Sequence, residues 1–214
     1  MTNKLNRGCV PVEWLVVGPI ENNVYIIGSG DSCFVVDPSC YPERILEAVG
    51  DRSVKAIVIT HRHFDHTGAA AALREATGAP VIASEIDAPG ISDPTDARCV
   101  ACPVDITLGH GDVVELCGVG WKVIGTPGHT PGSMCLFVDP RATDAPDAAP
   151  LLISGDTLFC GCTGRTDFEG GSIDDMRHSL KRLAALPDET IVLPGHNDLT
   201  TIGAERERVF ARFA

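Results

Sequence analysis

The stretch from residue 56 to residue 68 holds the side chains best suited to chemistry. A short β-branched apolar run ends there at Thr60. Four side chains that can bind a metal follow within six residues: His61, His63, Asp65 and His66. Imidazole and carboxylate suit zinc and other first-row divalent metals. Three histidines and an aspartate at this density predict a metal site, and not a loop with unrelated histidines.

The elements around this loop indicate how such a site is positioned. Residues 56–59 predict a buried strand, and the alanine-rich segment 69–76 predicts a helix that ends at Gly78. His61 and His63 are two residues apart, so their side chains can point the same way in an extended loop. A strand, a ligand-bearing loop and a helix in this order are the usual construction of an α/β site.

Three later turns carry one candidate ligand each. They lie near the ends of strands predicted at 120–124, 151–153 and 190–193, and each contains glycine or proline. The candidates are His129, Asp156 and His196. With the first cluster they make five histidines and two aspartates. The chain has seven histidines, and the two outside these motifs, His110 and His178, are predicted in a turn and on an exposed helix face.

The remaining segments predict a mixed chain of short strands and helices. Further strands are predicted at 11–17, 23–27, 33–36, 81–83, 113–116 and 134–138. Further helices are predicted at 43–49, 173–186 and 203–213. Residues 84–103 predict an irregular loop or a small helical flap near the site, and the polar residues 139–150 predict a surface loop.

Composition limits the possible functions. The chain of 214 residues has 29 acidic and 17 basic side chains, a net charge of −12, which argues against nucleic acid as a partner. No apolar run approaches the ~20 residues of a membrane span. No signal peptide is recognisable at the start, so we expect a cytoplasmic protein. We expect residues 1–214 to form one domain, and the sequence gives no indication of its oligomeric state.

The cysteine pattern favours reduced thiols. There are nine cysteines, an odd number, which in a cytoplasmic chain are expected to be free. Cys99 and Cys102 form a single CxxC with no second pair, so a zinc ribbon is not expected, and a redox pair is the alternative. Cys160 and Cys162 flank the site loop and are expected to be structural.

Four ordered motifs resemble those of the metallo-β-lactamase superfamily of hydrolases. They are THRHFDHTG (60–68), GTPGHTPGS (125–133), SGDTLF (154–159) and LPGHND (193–198). The resemblance covers nearly the whole chain. It implies an α+β fold, a four-layer αββα sandwich in which two sheets pack face to face with helices outside, and a dinuclear metal site at one edge.

The resemblance also assigns the ligands. Metal one would be held by His61, His63 and His129. Metal two would be held by Asp65, His66 and His196. Asp156 would bridge the two ions, and Asp65 is also the expected catalytic residue. The expected cofactors are two divalent ions, zinc first, with iron or manganese as alternatives. A water shared by two ions ~3.5–4 Å apart would lose a proton and attack an ester-like carbonyl.

Within the superfamily, the chain is most similar to short glyoxalase II-like proteins. Residues 159–171, which contain GRTD, and residues 199–207 carry this similarity. Full-length glyoxalase II continues into a helical domain that helps to bind glutathione, and this chain stops 18 residues after His196. A small thioester is therefore the expected substrate. Arg165 could hold a substrate carboxylate, or it could pair with Asp167 or Glu169 within the loop.

Several alternatives stay open at this point. The sequence HFDH at 63–66 is similar to the corresponding motif of lactonases. The GRTD loop also resembles that of persulfide dioxygenases, which use a single iron. An electron-transfer partner of a flavin domain is disfavoured, because diiron relatives carry a glutamate where His63 stands. Asp37, directly after a predicted strand, would either support a ligand histidine or cap the next turn.

Overall fold

A computed structural model describes residues 2–5 and 7–213 and shows two sheets. The first sheet has seven strands in sequence order. They are β1 (Asn3–Leu5), β2 (Val12–Val17), β3 (Asn22–Ile27), β4 (Ser32–Val36), β5 (Ser53–Val58), β6 (Val81–Ser84) and β7 (Ile106–Leu108). Strands β1 to β4 are antiparallel, and β4 to β7 are parallel. The carboxyl ends of β4 and β5 therefore meet at one edge.

The second sheet has six strands. They are β8 (Val113–Leu116), β9 (Val119–Gly125), β10 (Met134–Val138), β11 (Leu151–Gly155), β12 (Ile191–Pro194) and β13 (Thr200–Thr201). Their spatial order is β13-β12-β11-β10-β9-β8. Only β11 and β12 are parallel neighbours. Both of these strands end at the edge that carries the site.

The two sheets pack face to face over an apolar core. Phe34 of β4 meets Trp121 of β9 edge to face, with ring centroids 5.5 Å apart. Strand β3 is buried along its whole length. Tyr25 and Ile27 face the layer between the sheets, whereas Val24 faces the outer layer. This follows from the period of two in a strand that is covered on both sides.

Helices cover the outer faces of both sheets. The helices α1 (Pro42–Val49), α3 (Ala70–Thr77) and α4 (Ala88–Ser92) contribute Ile45, Leu73 and Ile91 to the outer core of the first sheet. Helix α2 (Phe64–Thr67) is a single turn in the ligand loop. Helix α5 (Ile173–Leu183) packs on the second sheet. Its N-cap residue is Ser172, whose hydroxyl accepts from Asp175 N–H. The predicted αββα sandwich is confirmed.

The structure differs from the sequence predictions in several short strands and at the ends of some helices. Strands β1, β7 and β13 were not predicted, and each has only two or three residues, too few to show a period. The helix predicted to reach residue 186 ends at Leu183. The segment 203–213 is a π-helical turn (Arg206–Phe210) followed by the short α6 (Ala211–Phe213). Among the described residues, no helix is both long and apolar enough to cross a bilayer.

Candidate metal centre

All seven candidate ligands converge where the two sheets meet. The loop after β5 supplies His61, His63, Asp65 and His66 from the first sheet. The second sheet supplies His129, Asp156 and His196 from the β9–β10 loop and the ends of β11 and β12. Backbone hydrogen bonds join the sheets beside them. Met134 N–H donates to the Thr60 carbonyl over 3.0 Å, and Asn23 N–H donates to the Gly195 carbonyl over 2.8 Å.

One donor group consists of three imidazoles. His61, His63 and His129 each offer a ring nitrogen, and these atoms lie within 4.8 Å of one another. His63 Nδ1 and His129 Nε2 are 2.8 Å apart. The His61 ring lies edge-on to both other rings. Three converging imidazoles form a typical site for a first-row divalent metal.

A second donor group combines a carboxylate with two imidazoles. Asp65 Oδ2 lies 3.3 Å from His66 Nε2 and 3.3 Å from His196 Nε2. These three donors again lie within 4.8 Å of one another. A side chain that sequence reasoning missed, Asn22, orients the carboxylate, because its amide donates to Asp65 Oδ2 over 2.9 Å. Asn22 begins β3, which is antiparallel to β4, so it starts at the edge where β4 ends.

Asp156 faces both donor groups. Its Oδ1 is 3.4 Å from His66 Nε2, and its Oδ2 is 3.4 Å from His129 Nε2 and 3.6 Å from His196 Nε2. Asp156 also forms a third group of donors with His61 and His66. The carboxylate is buried. It therefore has the position that a bridging ligand requires.

Buried donor atoms without hydrogen-bond partners in the described part of the chain indicate that these residues fit divalent metal ions. Three buried atoms of the cluster have no hydrogen-bond partner among the described residues: His61 Nε2, His66 Nε2 and Asp156 Oδ1. A buried polar atom left unpaired costs ~1–3 kcal/mol, so such atoms call for a partner. Nitrogen and carboxylate oxygen are donors that zinc, iron and manganese accept. The cluster indicates divalent metals, without distinguishing which.

Asp37 contacts His66 directly, and His61 through Thr60, on the side of each ring away from the donor cluster. Its Oδ2 is 3.0 Å from His66 Nδ1 and accepts from Thr60 Oγ1 over 2.7 Å. Thr60 Oγ1 is also 3.1 Å from His61 Nδ1. Of the two alternatives for Asp37, contact with a candidate ligand histidine is therefore the one observed. Contacts of this kind fix the ring orientation and the tautomer of a metal-binding histidine.

Main-chain carbonyls orient two other rings. The Arg165 carbonyl lies 2.7 Å from His129 Nδ1, and the Ile20 carbonyl lies 3.0 Å from His196 Nδ1. A carbonyl only accepts, so each Nδ1 carries a proton and each Nε2 faces the cluster with a lone pair when the ring is neutral. Four of the five histidines are thus held by a partner on the side away from the centre.

Burial and neighbouring charges shift the pKa values of the cluster in opposite directions. Burial and the adjacent imidazoles hold the pKa of His61 well below its usual range and lower the pKa of His63 to about 4. Burial also opposes protonation of His66, but the carboxylates of Asp156 and Asp37 outweigh it and raise the pKa of His66 well above its usual range. Low pKa values leave His61 and His63 neutral and able to bind a cation at neutral pH, whereas the neighbouring carboxylates favour a protonated His66 in the absence of a metal.

Asp87 is a second residue that sequence reasoning missed. It is fully buried, and its carboxylate accepts from Arg62 N–H over 3.0 Å, Thr130 Oγ1 over 2.7 Å and Gly132 N–H over 3.1 Å. These contacts tie the His61–His63 loop to the His129 loop. A lone acidic residue in an irregular stretch shows no pattern in the sequence, so no signal could have identified it.

A cleft of about 950 Å³ opens over the donors and is lined by His63, Asp65, His129, Asp156 and His196. Loop residues at its rim complete the wall. Arg165 is exposed there and pairs with Asp167, with Nη2 and Oδ2 2.7 Å apart. The Arg165–Asp167 pair foreseen as an alternative is thus observed.

The other singled-out residues lie outside the donor cluster. His178 is exposed on α5, and the Asp174 carbonyl lies 2.8 Å from its Nδ1. Cys160 Sγ contacts Arg208 Nη2 at 3.6 Å. All nine cysteines are free thiols.

Comparison with known proteins identifies the family. The family model described as the Metallo-beta-lactamase superfamily matches residues 17–196. The chain belongs to the metallo-β-lactamase superfamily. The resemblance inferred from the four motifs is confirmed. The family and the His/Asp cluster together establish a metallo-hydrolase.

Two curated relatives differ in how much of their length this chain matches. A probable metallo-hydrolase, YqgX of Bacillus subtilis, is 32% identical over 203 residues, which are 90% of this chain and 92% of the relative. A hydroxyacylglutathione hydrolase of Pseudomonas putida is 40% identical over 166 residues, which are 77% of this chain and 56% of the relative. The chain therefore matches just over half of that hydrolase.

Solved structures of superfamily members superpose on most of the chain. The BLEG-1 B3 metallo-beta-lactamase is 30% identical with a TM-score of 0.84, covering 93% of this chain and 98% of the other. A di-iron-bound form of TTHA1623 is 34% identical with a TM-score of 0.75, covering 91% and 96%. ETHE1 from Myxococcus xanthus is 30% identical with a TM-score of 0.75, covering 92% and 82%. One of these structures is named as a β-lactamase and another contains two iron ions.

Proposed function

We propose that the chain hydrolyses small thioesters in the manner of glyoxalase II, with residues 1–214 acting as one hydrolase domain. The observation that carries the proposal is the convergence of all seven donors on one cluster, with Asp156 between two donor groups, beneath an open cleft. The 40% identity with a hydroxyacylglutathione hydrolase supports the choice of a thioester.

The proposal gives each side chain of the cluster a role. His61, His63 and His129 would hold one ion, Asp65, His66 and His196 the other, and Asp156 would contact both. We propose zinc, with iron or manganese as alternatives. When bound, two divalent ions supply Lewis acidity and lower the pKa of water.

Asp65 is assigned a catalytic role in addition to binding a metal. It lines the cleft, and Asn22 orients its carboxylate. Burial alone would raise the pKa of Asp65, but the ring nitrogens of His196 and His66, each 3.3 Å from Asp65 Oδ2, outweigh burial and hold that pKa far below its usual range. An anion fixed at this position can orient the attacking water and accept its hydrogen bond.

The thioester itself suits this site. Its carbonyl is electrophilic and a thiolate is a good leaving group, so no serine or cysteine nucleophile is required. The cleft is open at its rim, where Phe168 and Arg165 are exposed. We therefore expect several small thioesters to be accepted, with weak turnover of S-lactoylglutathione. A net charge of −12 supports a small molecule over nucleic acid as the partner.

The experiment is a side-by-side assay on one metal-loaded preparation. Thioesters, lactones, β-lactams and glutathione persulfide would be compared at equal concentration. Thioester turnover above the other three supports the proposal. Lactone turnover well above thioester turnover would replace it with a lactonase, and oxygen consumption with persulfide would replace it with an iron dioxygenase.

A second candidate is β-lactam hydrolysis. Its support is the likeness to the BLEG-1 B3 metallo-beta-lactamase, which extends over 98% of that chain. The sequence offers no recognisable walls for a bicyclic ring, so we expect little turnover of β-lactams. The same assay decides between the two candidates.

The proposed compartment is the cytoplasm. Nine free thiols, several of them buried, fit a reducing environment. Burial raises the pKa of Cys9 and of Cys135 to about 11, which keeps both as unreactive thiols.

A further inference from the structure

Three arginines line the cleft above the donor cluster, and they differ in how they are paired. Arg98 pairs with Asp96, with Nη2 and Oδ2 2.6 Å apart. Arg165 pairs with Asp167. Arg62 forms no ion pair with any carboxylate in the described ranges 2–5 and 7–213. It is therefore the cation of the cleft wall whose charge is still available to a ligand.

The surroundings of Arg62 hold its side chain in place without neutralising it. Its backbone N–H is fixed by Asp87. Its Nη2 donates to the main-chain carbonyl of Glu169, which also lines the cleft, over 3.3 Å. Its stem passes helix α4 so closely that a Cβ at Gly90 would stand 3.0 Å from Arg62 Cδ. The guanidinium is thus positioned by a helix and a loop before any ligand arrives.

The N–H groups of the Arg62 guanidinium that the described residues leave free indicate that it can bind a planar anion. Within the described part of the chain, its Nε and Nη1 have no hydrogen-bond partner, and the residue is half-buried. A guanidinium presents its N–H groups as a planar fork that matches a carboxylate. The other carboxylates on the cleft rim, Asp93, Asp96 and Glu169, make no contact with this fork.

We propose that Arg62 binds a carboxylate of the substrate, so that the preferred substrates are carboxylate-bearing thioesters. This inference rests on the proposed thioesterase function and narrows its substrate class. Arg62 lies between His61 and His63 in the same loop. A carboxylate held there is anchored to the loop that carries four of the seven donors. The covalent chain between this carboxylate and the scissile carbonyl then limits where the carbonyl can lie. Positioning of this kind raises the rate without a new chemical group.

The test uses matched pairs of thioesters that differ only in charge. In one pair, the carboxylate is on the thiol side: S-acetyl-3-mercaptopropionate and its methyl ester. In the other, it is on the acyl side: S-methyl thiosuccinate and its methyl ester. The zinc-loaded wild type would be compared with Arg62→Gln, Arg62→Lys and the control Arg98→Gln, which removes a rim arginine that Asp96 already neutralises.

The wild type should prefer the carboxylate in at least one pair by about tenfold in kcat/KM, the effect of a charge-assisted hydrogen bond. Arg62→Gln should abolish this preference, because it lowers kcat/KM for the carboxylates far more than for the methyl esters. Arg62→Lys should keep part of it, because the charge remains without the fork. Arg98→Gln should keep all of it. A preference that survives in Arg62→Gln, or a wild type with none, overturns the proposal.

A binding measurement separates this proposal from the thioesterase proposal. Succinate and its uncharged dimethyl ester would be titrated calorimetrically into the same four proteins. Succinate should bind Arg62→Gln about tenfold more weakly than wild type, and dimethyl succinate should show no such difference. If no thioester is hydrolysed but this difference appears, the thioesterase fails and the anion site stands. If thioesters are hydrolysed and no difference appears in either experiment, the anion site fails alone.

Discussion

Asp156 is the residue whose loss should affect the whole centre. Its carboxylate faces His66, His129 and His196 at 3.4–3.6 Å. Asp156→Ala should therefore lose activity and at least one metal per chain, while circular dichroism shows an intact fold. His178→Ala, on the exposed face of α5, should change neither activity nor metal content. Normal turnover and metal content in Asp156→Ala would contradict a bridging position.

His66 should make metal binding depend on pH. Its pKa is raised well above the ordinary 6.5, so the metal-free protein holds a proton there at neutral pH. That proton stabilises the metal-free fold below pH 6.5, and the stabilisation is lost as the pH rises through the raised pKa. A metal needs the neutral ring, so binding must release the proton, and affinity should rise with pH until His66 titrates.

Calorimetric titrations of zinc at pH 7, in buffers that differ in ionisation enthalpy, would count the released protons. We expect a measurable release in the wild type and a smaller one in Asp37→Asn, because Asp37 helps to raise the pKa of His66. The exposed carboxylate variant Asp112→Asn should match the wild type. No release in the wild type would show that His66 is neutral before the metal binds.

At the scale of elements, Asp87 connects two ligand loops. Asp87→Ala would leave the Arg62 N–H, the Thr130 hydroxyl and the Gly132 N–H without their buried acceptor. We expect the free energy of unfolding to fall by ~3 kcal/mol or more, and metal affinity to fall with it. Asp112→Ala, whose carboxylate accepts from the Gly109 N–H at the surface, should cost under ~1 kcal/mol. Denaturant unfolding of both metal-free variants would compare them, and equal costs would contradict a connecting role for Asp87.

The elements that carry the site were predictable because their signals are local and redundant. The β-branched run before His61 and the glycines around His129 and His196 mark strand ends, and parallel strands such as β11 and β12 must end at one edge. The parts that could not be predicted depend on contacts across the fold. Asn22 contacts Asp65 and Asp87 contacts Thr130, and each pair is 43 positions apart in the sequence. Such contacts have no local pattern.

The C-terminal segment shows that helix propensity alone also fails to predict the structure. Residues 203–213 have the composition of a regular helix. In the fold, Glu205 is buried there, and its carboxylate accepts from Thr200 Oγ1 over 2.6 Å and from Gly161 N–H over 2.9 Å. The segment begins from this anchored residue as a π-helical turn. Tertiary contacts outweigh helix propensity in such cases.

At the scale of the whole molecule, the number of metals distinguishes the candidate reactions. Two donor groups with Asp156 between them lead us to expect two ions per chain, zinc first. Elemental analysis of protein purified without added metal would give the count and the identity together. A fully active preparation with a single metal per chain would contradict the dinuclear centre and favour the iron dioxygenase.

Because the donors come from both sheets, metal binding should affect the amount of folded protein. The donors are drawn from both sheets, which meet at the Met134–Thr60 and Asn23–Gly195 hydrogen bonds. An unfolded chain keeps only the first loop's donors close together, so most of the binding free energy belongs to the folded state. Above the dissociation constant, each tenfold rise in free metal should then add up to ~1.4 kcal/mol of stability per site. We therefore expect the supply of metal to influence how long each copy of the chain stays folded and resists proteolysis.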